Sequence, residues 1–496
     1  MREFFLCALL FLLLCVPYLS FPPDDDVGSH LMMAKGILEG KKLYSDYLDN
    51  KGPMLYISLV PVVILAGTSL LGLRLLALAL DIGYAFLLYL TVKRNFGPRD
   101  ALISAALFFL LALDPLTEAF EFRAELFIGL AMCAMISLIL ESRRDGRGSL
   151  WAGVGLALGY AVLIKPSMLI LLIPIALFIP KKARPAIFLI AGLAVAAAAF
   201  VIALQLGLFS LGDYVDATIV KPSLFAQQVA VNTALPPLLW IPLSLITFPM
   251  GMLCILCFLH TAASFRALGH EARVFCAFFA TLFIALLFGA LSAIGIYNAL
   301  LLIFLPLVPL IACLALKELE SFHEKPAGLK FILNSASVFV FLYVIISLAV
   351  SVGSSFLYGQ VPGLNAEDTD LTSGEFGGTL SFLSANTGAN DSILVFALMP
   401  SFYYYSGRPP ASAALWFAPI DDKISYYSPD ELQALLFRYT EERIPKYVIF
   451  DTYSEKDQWV VDRISADYAH ELKIGRITIY SRREGVPKDE NTTANR

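Results

Sequence analysis

Apolar runs broken by charged or proline-bearing turns recur from residue 4 to residue 350, and lysine and arginine gather at every second break. A chain patterned this way is built for the bilayer, whose hydrocarbon core of about 30 Å takes helices of roughly 20 apolar residues. Helices suit that solvent because they satisfy their own backbone groups. Composition agrees: 58% hydrophobic against 16% charged residues, with a mean hydropathy of +0.73, is more apolar surface than one soluble core hides. The formal net charge is -5, and the basic residues are sorted by membrane side instead of pooled. That distribution argues against a nucleic-acid surface.

Eleven spans are predicted: Phe4–Leu19, Leu71–Leu90, Ala101–Leu113, Leu126–Leu140, Leu150–Ile164, Met168–Ile179, Ile187–Gly207, Leu238–Phe258, Val274–Leu291, Leu300–Leu316 and Phe331–Val350. Met54–Gly67 is either a twelfth span or a re-entrant piece. Arg2, Lys93, Arg94, Arg99, Arg143, Arg144, Arg147, Lys181, Lys182, Arg184, Arg266, Arg273, Lys317, Lys325 and Lys330 fall in alternate loops. Because cytoplasmic loops hold positive charge, the N-terminus is expected inside and everything after Val350 outside, in an inner (plasma) membrane. Met1–Ser20 lacks a small-x-small cleavage site and is expected to stay as an anchor.

Residues 1–352 therefore read as a polytopic body and 353–485 as a small extracytoplasmic α/β domain. Its strand-like runs are Ile393–Phe396, Tyr447–Phe450 and Ile477–Tyr480. Helix-like stretches are Ser381–Ala385, Pro429–Thr440 and Lys456–Tyr468. Residues 486–496 read as a disordered tail. Cys7, Cys15, Cys133, Cys254, Cys257, Cys276 and Cys313 all lie in hydrophobic runs, so the exported part has neither a disulfide framework nor a zinc motif.

Ionisable residues gather on the outer face. The first outer loop carries Asp24, Asp25, Asp26, His30, Asp46, Asp49 and Lys51. The second carries Asp114, Glu118, Glu121, Arg123 and Glu125. Lys165-Pro166, Lys221-Pro222 and Tyr297 complete the set. Carboxylates beside cations at a membrane face suit work on a lipid-linked phosphate: a base for an acceptor hydroxyl, cations for the leaving phosphate, and acids that orient sugar hydroxyls. Each has a plainer reading. The aspartate run also suits a helix cap, Lys165 an interface anchor, and Tyr297 an aromatic belt. His30 either tunes Asp26 from one turn away or faces solvent. Asp81 and Arg74, two turns apart on one span, read as a structural clamp. Tyr403, Tyr404, Tyr405 and Trp416 suit either sugar stacking or core packing.

Asp26-x-Gly28, Gly36-Ile-Leu-Glu-Gly40, Tyr44-x-Asp46-Tyr47 and Asp49-Asn-Lys51-Gly-Pro53 resemble the first outer loop of bacterial GT-C membrane glycosyltransferases, relatives of protein O-mannosyltransferases and of the lipid A aminoarabinose transferase. Arg123-Ala-Glu125, Leu163-Ile-Lys165-Pro166, and Tyr297 with Leu305-Pro306 extend the resemblance. It implies Asp26 as catalytic base or acceptor-positioning group and Glu125 as the second acid, with Glu121 as its fallback. It implies Lys51 and Tyr297 at the lipid phosphate, and Lys221 or Arg123 as a further cation. Two positions depart from the pattern: Val27 stands where many relatives have glutamate, and Gly52 replaces the first proline of Lys-Pro-Pro.

The expected fold is thus a multi-spanning GT-C helical body with a small C-terminal α/β domain. The expected activity is transfer of a single sugar from a polyprenyl-phosphate donor to a lipid A, polysaccharide or protein acceptor. Asp26 and Glu125 are the catalytic candidates; Lys51, Tyr297, Arg123, Lys165, Lys221, Asp46, Asp49, Glu121 and His30 are the substrate-binding ones. No cofactor is expected, a divalent metal at Asp24 and Asp26 being the one alternative. The competing readings are a transporter or flippase of polyprenyl-linked glycans and an inactive glycan-binding relative. Polar residues at one face instead of the midplane weigh against transport.

Overall fold

The computed structural model describes residues 1–16, 19, 25–113, 121–224, 268–291, 307–311, 375–396, 400–413, 415, 444–451, 462, 464–475 and 477–483. Its first helices are α1 (Arg2–Leu14), α2 (Asp25–Leu38), α3 (Pro53–Ala66), α4 (Leu70–Phe96), α5 (Pro98–Ala112), α6 (Ala124–Asp145) and α7 (Leu150–Ile164). A 3-10 turn at Pro166–Leu171 leads into α8 (Leu172–Phe178), followed by α9 (Ala183–Gln205), α10 (Leu211–Val215), a π turn at Asp216–Val220, and α11 (His270–Leu291).

Among the described residues, α4, α6 and α9 are long and apolar enough to cross a membrane, and α3, α7 and the Pro166–Phe178 segment are shorter apolar helices. Their ends follow local chemistry. Ser69 caps α4 by accepting from the Gly72 amide at 3.1 Å, and Gly146 ends α6 in the left-handed conformation. Lys93 and Arg94 close α4 and Arg143 and Arg144 close α6, at the helix ends whose carbonyls favour cations. The predicted spans Leu238–Phe258 and Phe331–Val350 lie outside the described residues, as does Leu300–Leu316 apart from residues 307–311.

The α7–α9 pair is built on small residues. A Cβ on Gly155 would sit 2.1 Å from the Leu189 carbonyl oxygen, and one on Gly192 2.0 Å from that of Ala152, so the two backbones touch. Gly159 against Ala196 extends the contact one turn.

Helix α3 begins beside Lys51 and ends at Gly67, whose carbonyl accepts a 2.6 Å hydrogen bond from Tyr404 of the C-terminal part. The C-terminal part therefore reaches the end of α3. Ile64 and Leu65 are left exposed on its last turn.

The predicted clamp between Arg74 and Asp81 does not form. Seven residues separate them by about 10 Å along the axis of α4, whereas the loop before α6 brings Glu121 into a buried ion pair with Arg74. Asp81 is fully buried, and neither carboxyl oxygen has a hydrogen-bond partner among the described residues.

The C-terminal part contributes α12 (Glu375–Asn386), β1 (Ile393–Phe396), α13 (Ser401–Ser406), β2 (Tyr447–Asp451), β3 (Tyr468–Ile474) and β4 (Ile477–Arg482). The sheet order is β1-β2-β4-β3, with β1 parallel to β2 and the other pairs antiparallel. Tyr468, expected to close a helix, instead opens β3, which turns at Gly475 (φ 57°) to pair with β4. Of the rest of the Lys456–Tyr468 stretch, residues 464–467 form a short turn and residues 456–461 and 463 lie outside the described residues, as do Pro429–Thr440 and Trp416. Tyr403 and Tyr404 are fully buried and pack inward; the Tyr403 hydroxyl accepts from the Val395 amide at 2.7 Å. Core packing is their role, not sugar stacking.

Candidate active site

The C-terminal part sits against the segment that carries the first acidic motif. A Cβ on Gly28 would lie 2.2 Å from Ser401 Oγ and 2.6 Å from the Ser401 Cα, so α13 rests directly on α2, two residues from Asp26. The Leu48 amide donates to the Ala413 carbonyl at 2.8 Å. The first outer loop is thereby held against the C-terminal part, and its charged residues converge with those of two other segments.

Asp26, in the first turn of α2, accepts from Arg123 Nη1 at 3.0 Å. Arg123 immediately precedes α6, and Glu125 in the first turn of that helix pairs with Lys165 Nζ at 3.2 Å. Lys165 ends α7 in an extended conformation set by Pro166. Lys51 lies within electrostatic range of both Asp26 and Glu125, and its Nζ donates to Asn50 Oδ1 at 2.6 Å. Glu125 and Arg123 are buried, while the Asp26 and Lys165 side chains remain 35% and 31% exposed. A partly open carboxylate near a partly open ammonium suits a ligand with a proton to lose and an anion to hold.

Around these charges lies a second set of polar contacts. His30 Nε2 lies 3.7 Å from Asp49 Oδ2, and Ser29 Oγ donates to that same oxygen at 3.1 Å and to the Asp26 carbonyl at 2.8 Å. His30 is 1% exposed, which corrects the solvent-facing alternative. Asp49 orders its own loop by accepting from the Asn50 amide at 2.6 Å.

The electrostatics are opposed in both sets. Burial alone would raise the Asp26 carboxyl, but Lys51, Arg123, His30 and Lys165 outweigh it and hold it below the usual carboxylate range. Burial holds the His30 imidazole below its ordinary value, with Lys51 and Arg123 acting in the same direction against the pull of Asp49 and Asp26.

Of the residues singled out from sequence, Asp26, His30, Asp49, Lys51, Arg123, Glu125 and Lys165 come together. Three do not join them. Asp46 accepts from the Lys42 amide at 2.8 Å in an exposed turn, Glu121 pairs with Arg74, and Lys221 pairs with Asp216 at 3.2 Å. Tyr297, Asp24, Asp114 and Glu118 lie outside the described residues, so the Asp24–Asp26 metal pair is not placed; among the described residues no group of three His, Cys, Asp or Glu is arranged to hold a metal ion.

Sequence reasoning passed over the groups that fix Lys51. The Tyr44 and Tyr56 hydroxyls donate to its carbonyl at 2.8 and 3.2 Å, and its amide donates to Tyr56 Oη at 3.1 Å. Tyr44 is held at φ 67°, and among the described residues no other non-glycine has positive φ. Such strain persists where surroundings over-determine it, often at functional sites.

A family model described as dolichyl-phosphate-mannose-protein mannosyltransferase matches residues 50–206, which include Lys51, Arg123, Glu125 and Lys165. The crystal structure of ArnT from Cupriavidus metallidurans bound to undecaprenyl phosphate superposes with a TM-score of 0.61 at 12% identity, covering 97% of this chain and 98% of that one. The chain has the GT-C fold. The same GT-C architecture relates it to the archaeal oligosaccharyltransferase AglB from Archaeoglobus fulgidus, in complex with an inhibitory peptide and a dolichol-phosphate, with a TM-score of 0.53 at 12% identity over 98% of this chain and 74% of that one. No curated protein matches it in sequence.

Proposed function

We propose that this GT-C protein transfers one sugar from a polyprenyl-phosphate carrier to an acceptor arriving from the extracytoplasmic side of an inner or plasma membrane. The observation that carries this reading is the convergence of Asp26 with Lys51, Arg123, Glu125 and Lys165 from three chain segments. The undecaprenyl phosphate bound by ArnT and the dolichol-phosphate bound by AglB, two proteins of like fold, support a lipid phosphate as the ligand class.

In this reading Asp26 takes the proton of the acceptor hydroxyl as its oxygen attacks the anomeric carbon. The bond from that carbon to the phosphate oxygen breaks, and its electron pair leaves with the phosphate. Lys51 and Lys165 hold the departing anion, which is where fixed charge lowers the barrier most. Arg123 orients Asp26, and Glu125 orients Lys165. Lysines and arginines at alternate loops support a cytoplasmic N-terminus, with the 353–485 region outside.

Asp26→Asn separates transfer from carriage. Loss of sugar transfer by roughly a hundredfold or more, with undecaprenyl phosphate still bound, is the expected result in reconstituted protein. Unchanged transfer removes Asp26 from the mechanism. Mass spectrometry of surface glycans from a deletion strain identifies donor and acceptor together through the monosaccharide that disappears.

A further inference from the structure

Gly52 stands where the family pattern has proline, and the structure gives it a contact that proline cannot make. Its amide donates to the Ile164 carbonyl at 2.7 Å. A Cβ on it would lie 2.0 Å from the Leu163 carbonyl oxygen and 2.7 Å from the carbonyl carbon, far inside contact. The loop bearing Lys51 therefore rests backbone on backbone against the end of α7, one residue before Lys165. Helix ends leave carbonyls to be satisfied from outside, and here a neighbouring loop supplies the donor.

Both sides of this joint are stiff. Tyr44 and Tyr56 pin the carbonyl of Lys51, the residue before Gly52. Across the joint, Pro166 restricts Lys165 to the extended backbone observed (φ -145°, ψ 108°), which turns its side chain toward Glu125. The two lysines come from segments more than a hundred residues apart in sequence. Among the described residues, the Gly52 amide makes the backbone hydrogen bond between those segments.

We propose that Gly52 is a positioning residue: by seating the first outer loop on the Leu163 and Ile164 carbonyls, it sets the separation of Lys51 and Lys165 so that both ammonium groups reach one phosphate. This rests on the lipid-phosphate reading of the site and deepens it. A side chain at position 52 drives the loop off α7 and parts the lysines. A proline there also removes the donor.

The test uses the full chain in lipid nanodiscs, with undecaprenyl phosphate as the probe and affinity as the readout. Gly52→Ala, Lys165→Ala and the double variant form a cycle that reports coupling, not stability alone. Gly52→Ala is expected to weaken binding roughly tenfold when Lys165 is present and to have little effect in the Lys165→Ala background. Wild-type affinity in Gly52→Ala, or an equal loss in both backgrounds, overturns the proposal. Should Gly52→Ala not yield folded protein, Pro166→Ala perturbs the opposite side of the joint and must show the same Lys165-dependent loss; unaltered affinity there is equally fatal. A wild-type protein that fails to bind undecaprenyl phosphate overturns the reading of the site itself, before any variant is made.

Discussion

A carboxylate within electrostatic reach of Lys51, Arg123 and Lys165 loses its proton early, although burial pulls the other way. With Asp26 as base, the acid limb of kcat/KM is expected below about pH 4, the ordinary carboxylate region, instead of near 6. An acid limb near pH 6 would count against that assignment. His30 behaves differently. Its imidazole is held below its ordinary value by burial, so below about pH 6.5 the unfolded chain binds a proton that the folded one refuses, and stability falls as the pH drops through that window. His30→Gln is expected to lose less melting temperature than wild type between about pH 7.5 and 5.5, and an equal drop in both proteins rejects the idea. Asp26, Lys51, Arg123, Glu125 and Lys165 were marked by ionisable residues gathering in the outer loops, a signal that marked Asp46, Glu121 and Lys221 equally although these pair elsewhere. Ser29, Asn50, Tyr44 and Tyr56 were not. A hydroxyl or amide near an interface has many possible partners, and only closure of the loop selects one. Nor does tyrosine advertise the left-handed backbone that Tyr44 adopts, as glycine or asparagine would.

At the scale of helices, apolar runs read well wherever packing leaves them uninterrupted. Leu150–Ile164 is a helix with the predicted bounds, and most of the other described apolar runs form helices shifted mainly at their ends, but among the described residues only α4, α6 and α9 are long and apolar enough to cross a membrane. Met168–Ile179 was predicted as one span, yet Pro166 and Pro174 lie within a 3-10 turn and a short helix, so the segment is irregular where the pattern looked uniform. The α7–α9 contact was overlooked although its signal, Gly155-x-x-x-Gly159 facing Gly192-x-x-x-Ala196, stands in the chain. Helices this close have no room for a methyl group. Gly155→Ala should destabilise the protein by about 1–3 kcal/mol as α7 is pushed from Leu189. Gly83→Ala on α4, where a Cβ meets nothing within 4 Å, should be neutral or stabilising by up to about 1 kcal/mol. Denaturation of the two variants in detergent compares them directly, and equal stability contradicts the close approach.

The whole molecule joins a helical body to a C-terminal part whose contact with that body falls on the acidic motif, a relation no local pattern encodes because it links residues more than three hundred positions apart. Gly28 touches Ser401, Leu48 bonds to Ala413, and Gly67 accepts from Tyr404, so α2, the Lys51 loop and the end of α3 are all braced from one side. On the proposed reading Asp26 is the reacting group of a sugar transfer, and displacements near 1 Å at such a group are enough to slow it greatly. Gly28→Ala places its methyl carbon 2.2 Å from Ser401 Oγ and 2.6 Å from both the Ser401 nitrogen and Cα. It is therefore expected to cost about 1–3 kcal/mol of stability, to slow transfer by roughly tenfold or more, and to speed hydrogen exchange at the amides of α2. Adding Ser401→Gly removes the hydroxyl but leaves the backbone atoms in place, so the double variant should recover only part of each loss. Full recovery would mean that the hydroxyl alone made the contact. Wild-type exchange in Gly28→Ala would mean that the C-terminal part does not hold α2 at all.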